Sequence, residues 1–94
     1  MTNDDRIKLI PDEYYPIRGD LLGALERYVN DGIQPGGFLT SVLENDLSAA
    51  CGRADHENSR NLVNIVGYVY NYIPANMWGS REKVAAHFLS KKQR

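Results

Sequence analysis

The chain has 94 residues, of which 43% are hydrophobic and 24% charged, and its formal net charge is −1. That length suits one domain with a modest core, and the balance is that of a globular chain rather than a disordered one. Near-neutrality argues against a general nucleic-acid binder, the single cysteine excludes an internal disulfide, and no apolar run approaches the ~18–20 residues of a membrane span.

Residues 1–12 read as a flexible arm, although Ile7, Leu9 and Ile10 can dock it as an extended segment before Pro11. Acidic residues stand where a signal peptide is basic, which makes the cytoplasm the expected location. Residues 13–90 form the single helical domain and 91–94 a basic tail. The residue before Pro16 is biased away from helix, so helix one is expected from Ile17 or Arg18 to Asn30. Leu21, Leu22, Leu25, Tyr28 and Val29 recur at offsets of three and four and form its apolar stripe. Gly32 stops it, because glycine takes the left-handed cap conformation without steric cost.

Pro35-Gly36-Gly37 turns the chain into helix two, whose stripe runs through Phe38, Leu39, Val42, Leu43, Leu47, Ala50 and Cys51 to Arg53. Asn45-Asp46 are poor interior residues and good caps, so the helix is expected to kink or break there. Asp55 caps helix three, with Glu57 in its first turn. Leu62, Ile65, Val66, Val69 and Ile73 form the core stripe, while Val63, Tyr68, Tyr70 and Tyr72 spread apolar area onto other faces. A helix apolar over so much of its circumference is expected to be central. A strand across Leu62–Tyr72 competes on propensity, but strict alternation fails at Ile65-Val66. Ser80 caps the last helix, whose apolar face is Val84, Ala85, Phe88 and Leu89, before the basic Lys91, Lys92 and Arg94. The expected fold is all-α, a compact bundle of four short helices, or five if the second breaks.

Few constellations carry chemistry. Cys51 and His56 are near in sequence, but a small thiol on an apolar stripe is expected to be packed rather than activated. Asp55, His56, Glu57 and His87 have no metal-ligand spacing, so no metal or other cofactor is expected. Gly36-Gly37 expose amides to an anion only if a cation lies near, and Ile33 to Leu43 contains none. Glu44, Asn45, Asp46, Arg53, Asp55 and Asn58 form a polar corner, read first as caps plus an Asp46–Arg53 ion pair and second as a recognition surface. Six tyrosines and one tryptophan are many for this length, and a small core cannot bury Tyr14, Tyr15, Tyr68, Tyr70 and Tyr72 together. Lys83, Lys91, Lys92 and Arg94 read as a solvated, dipole-complementing set.

The stretch YVNDGIQPGGFLTSVLENDLSAACGRAD, followed by YNYIP and MWGSREKV, resembles a group of small proteins from tailed phages and prophages. The likeness covers roughly Tyr15 to Phe88 and brings no catalytic residue with it. It implies an accessory gene product that works in the host cytoplasm by binding, including against host defence.

The expected function is therefore a non-enzymatic accessory protein that binds and modulates a host or phage protein. The expected contact residues are Tyr14, Tyr15, Glu44, Asn45, Asp46, Arg53, Asp55, Tyr68, Tyr70 and Tyr72. A homo-oligomer is an open alternative for the tyrosine surface, and no membrane or nucleic-acid partner is expected. Two other readings compete: an oligomeric binder of a nucleotide signal, with tyrosines stacking on the base, and a DNA-binding regulator, disfavoured by charge.

Overall fold

A computed structural model describes residues 6–92. Among these the chain is all-helical, with six α-helices and no strand: α1 (Gly19–Asp31), α2 (Gly37–Leu43), α3 (Leu47–Arg53), α4 (His56–Arg60), α5 (Leu62–Tyr72) and α6 (Arg81–Lys92). A single 3-10 turn, Ala75–Met77, lies between α5 and α6. No helix among the described residues is long and apolar enough to cross a membrane.

α1 stops where the sequence places its stop. Gly32 has φ +66°, and its amide donates to the Tyr28 carbonyl at 3.0 Å. A second constraint is tertiary: a Cβ on Gly32 would lie 2.6 Å from Cβ of Lys91, because the last turn of α6 crosses there. Leu25, Tyr28 and Val29 are buried, and Leu21 and Leu22 pack at the edge of the core.

Helix two breaks at the expected place. Asn45 takes φ +62°, and Asp46 caps α3 by accepting the Ala49 amide at 3.1 Å. The break resets the helical phase. Ala50 points into the core, while Leu47 and Cys51 turn outward, so the expected packing of Cys51 is corrected to exposure. Ser41 is buried instead; its hydroxyl donates to the Gly37 carbonyl at 3.0 Å and accepts from the Arg53 guanidinium.

Helix three also divides, at Asn61. Asp55 caps α4 as expected, accepting the Asn58 amide at 2.7 Å. On α5, Ile65, Tyr68 and Val69 are buried. On α6 the buried positions are Val84 and His87, with Phe88 half-buried, and Leu89 is 58% exposed. The face expected from Val84, Ala85, Phe88 and Leu89 is thus corrected to positions 84, 87, 88 and 91. The pairing of α6 with α1 requires it, since the His87 ring lies 4.6 Å from that of Tyr28 and the Lys91 stem covers Gly32.

Residues 6–12, expected as a flexible arm, lie docked as an extended strap; residues 1–5 and 93–94, with Arg94, lie outside the described residues. Arg6 forms a bidentate ion pair with Asp31 at 2.9 and 3.0 Å. Asn30 accepts the Ile7 amide at 2.7 Å and donates to the Ile7 carbonyl at 2.8 Å. The Leu9 amide reaches Glu26 at 2.7 Å, and its side chain is buried. Of the three residues expected to dock the strap, Ile10 instead is 58% exposed, and only its carbonyl is held, by the Tyr68 hydroxyl at 2.7 Å.

Two predictions follow from this packing. Gly32→Ala forces a left-handed alanine against Lys91 and is expected to cost about 1–2 kcal/mol from the backbone alone, read as a lowered urea midpoint. Burial pushes the Tyr68 hydroxyl up to about 12 and raises that of Tyr28 further, against an ordinary value of 10.0. Both folded values lie above the unfolded one, so their stabilisation is whole below pH 10.0 and is lost as pH rises through about 12. An alkaline titration is expected to show tyrosine ionisation and loss of helix together over that window.

Candidate interaction surface

The candidate site is built on α5. Its sequence, LVNIVGYVYNY, contains no charged residue. One stripe of this helix enters the core. A second stripe, Val63, Val66 and Tyr70, recurs at i, i+3 and i+7; its two ends face away from the core, while Val66 packs partly against it. Val63 is 80% and Tyr70 72% exposed. Tyr70 is steadied by an edge-to-face contact with Trp78, ring centres 6.2 Å apart.

Two other elements extend this stripe into a groove of about 530 Å³. Leu47, turned outward by the break at Asn45, forms one wall and is 49% exposed. Tyr15 forms the other. Its ring lies directly on Gly67, where an added Cβ would come within 2.3 Å of two ring carbons. Leu62 and Val66 line the groove more deeply and Asn71 lies at its edge; the Asn71 amide already donates to the Gly67 carbonyl at 2.7 Å. No lining side chain is charged or nucleophilic. The surface thus offers mainly shape and apolar area, with the tyrosine hydroxyls and Asn71 as its polar groups.

Tyr15 is held by the turn before it. Asp12 accepts the amides of Tyr14 at 2.6 Å and Tyr15 at 3.3 Å, and also the Tyr72 hydroxyl. The hydrogen bond from Tyr72 and that from the Tyr14 amide hold the Asp12 carboxyl below the usual carboxylate range; the same bond to Asp12 raises the Tyr72 hydroxyl.

The residues expected to make partner contacts are dispersed. Tyr15 and Tyr70 meet in the groove. Tyr68 is 0% exposed and is corrected to a core residue, its hydroxyl satisfied by Ile10. Tyr72, 39% exposed, stacks on Tyr68 at 4.6 Å and turns toward Asp12. Tyr14 is 79% exposed but does not line the groove. At the polar corner, Asn45, Arg53 and Asp55 are exposed, while Asp46 and Glu44 are partly covered. The Asp46–Arg53 pair expected there is replaced by separate bonds, because Asp46 caps α3 and Arg53 turns to Ser41. Arg53 also passes Gly37, supplying the cation that the local sequence lacks, but its guanidinium is engaged. Sequence reasoning missed Leu47, Val63, Val66 and Gly67. The second stripe on α5 is readable from spacing, whereas Leu47 becomes visible only once the break resets the phase.

A more polar hollow of about 670 Å³ is lined by His56, Glu57, Arg60 and Asn61. Its acid is occupied: Glu57 accepts from Arg18 at 2.8 Å, and Arg18 also pairs with Asp20. Among the described residues no group of three or more His, Cys, Asp or Glu is placed to hold a metal ion. Comparisons with protein-family models, with curated proteins and with solved structures find no match, so the reading of this surface rests on its geometry.

Gly67→Ala is expected to lift Tyr15 from α5. Overpacking of this kind costs about 1–3 kcal/mol. Faster amide hydrogen exchange at Tyr14 and Tyr15, with the α6 amides unchanged, is the expected readout.

Proposed function

We propose that this chain is a non-enzymatic interaction protein that acts by binding another protein, and that the outer face of α5, with Leu47 and Tyr15, is a protein contact surface. The observation that carries the reading is the second apolar stripe. A helix apolar on all sides ordinarily lies inside a core, yet here Val63 and Tyr70 stand in water. Hydrating that face gains nothing for the isolated fold, whereas covering it stabilises a complex. The resemblance noted in the sequence supplies the setting: a phage accessory product that modulates a protein of the bacterial host or counters a defence system.

The nucleotide-signal reading is less favoured by this groove. A phosphate requires a cation or a row of free amides, and the groove lining offers no Lys or Arg.

The test compares wild type with Val63→Glu in affinity purification from bacterial lysate at physiological salt. Because Val63 is 80% exposed, the variant is expected to keep its melting temperature. Proteins retained by wild type at near-equal stoichiometry are expected to be lost from the variant. Identical profiles would remove the α5 face from consideration, and a nucleotide-dependent thermal shift would favour the small-ligand reading instead.

A further inference from the structure

We infer that the seat beneath residues 6–10 is a peptide-binding groove, in which the chain's own strap is a resident occupant that an extended, leucine-bearing segment of another protein displaces. This site is separate from the outer face of α5.

The seat grips a peptide backbone. Glu26 and Asn30 stand about one turn apart on α1, and the strap runs antiparallel to that helix. Four helical residues rise about 6 Å and two extended residues about 6.6 Å, so the pair meets alternate residues, Ile7 and Leu9. Asn30 is only 9% exposed, and its side chain both accepts the Ile7 amide and donates to the Ile7 carbonyl. From α5, the Tyr68 hydroxyl donates to the Ile10 carbonyl. The Leu9 side chain is buried, whereas those of Arg6, Lys8 and Ile10 are exposed. Main-chain bonds of this kind supply affinity and the enclosed side chain supplies selectivity. Asp31, which pairs with Arg6, adds a preference for a basic residue three positions before the leucine.

The occupant is exchangeable. The bonds to Ile7, Leu9 and Ile10, an exposed ion pair and one buried leucine are of the same order as the entropy of ordering five residues. The seat therefore opens without the domain unfolding. Opening hinges at Pro11, because Asp12 keeps its bond from Tyr72 and Tyr15 its place on Gly67.

A second copy is a poor competitor: its strap makes in trans the contacts it already makes in cis, with association entropy to lose. The strap also leaves unfilled a polar hollow of about 230 Å³ between residues 6–8 and Glu26 and Asn30. A foreign segment with a bulkier polar side chain occupies that room.

Fluorescence anisotropy of a labelled peptide of residues 6–14, RIKLIPDEY, titrated with the full chain, tests this. Wild type is expected to bind weakly, since the resident strap lowers the vacant fraction. Leu9→Asp in the chain, with the peptide unchanged, is expected to tighten binding more than about tenfold, and the exposed Arg6→Glu several-fold. Adding Asn30→Ala to either variant is expected to reverse the gain. In wild type, the Ile7 and Leu9 amides are expected to exchange hydrogen faster than those of Leu25 and Val29. Equal protection of these amides, absence of peptide binding to the Arg6→Glu chain, or binding unchanged by Asn30→Ala overturns the inference. A mass that rises with concentration from 10.6 kDa toward twice that value, and is held at 10.6 kDa by excess peptide, places a second copy's strap in the seat and overturns the foreign occupant.

Discussion

Tyr28 holds three parts of the chain in one arrangement. Its hydroxyl donates to the Met77 carbonyl at 2.6 Å, fixing the 3-10 turn after α5. Its own carbonyl accepts the Gly32 amide that ends α1 and lies 2.7 Å from Nε2 of His87. A carbonyl only accepts, so Nε2 is the donor in this contact. The ring completes the anchorage, tilted on His87 and edge-on to Phe88 at 5.5 Å. α6 therefore cannot rotate on α1 without breaking a buried hydrogen bond, a change that costs about 1–3 kcal/mol. Apolar area alone would allow the helix to slide; the polar atoms choose its register.

The same core leaves α5 with two different duties. Ile65, Tyr68 and Val69 complete the interior, while Val63 and Tyr70 make a surface. A small domain has little choice in this, because a single helix must supply most of the apolar area on its side and its other face has no further layer to meet. The turn after the strap reduces the exposed area by laying Tyr15 across Gly67, and the missing side chain at position 67 is what permits so close an approach. Core area and exposed apolar area here lie on opposite faces of one helix.

Features fixed by neighbours in sequence were legible without coordinates. The stop at Gly32, the break at Asn45-Asp46 and the caps Asp46, Asp55 and Ser80 each follow from conformational freedom or a side-chain oxygen placed three residues before an amide. Features fixed at a distance were not. Tyr68 and Tyr70 look alike in sequence, yet one is buried because the carbonyl that satisfies its hydroxyl belongs to Ile10, 58 residues away. His87 looks like a solvated helix residue until Tyr28 is brought beneath it. Leu47 follows the stripe of helix two by counting, but the left-handed Asn45 adds a rotation that counting does not contain. The candidate surface was thus partly readable: Tyr15 and Tyr70 by abundance and Val63 and Val66 by helical spacing, but Leu47 only after the break at Asn45 and Gly67 only after Tyr15 is brought onto it.

Besides the Arg6–Asp31 ion pair and the buried Leu9 side chain, the strap is held through its main chain. Asn30 grips both polar groups of Ile7, Glu26 takes the Leu9 amide and Tyr68 the Ile10 carbonyl, while Leu9 sinks its side chain into the core and Ile7 packs against its edge. Clamps that grip peptide groups are indifferent to the letters written on them. Lys8, Ile10 and Tyr14, whose side chains are exposed, are accordingly positions where a chemist can attach a fluorophore or an affinity handle without disturbing the domain beneath.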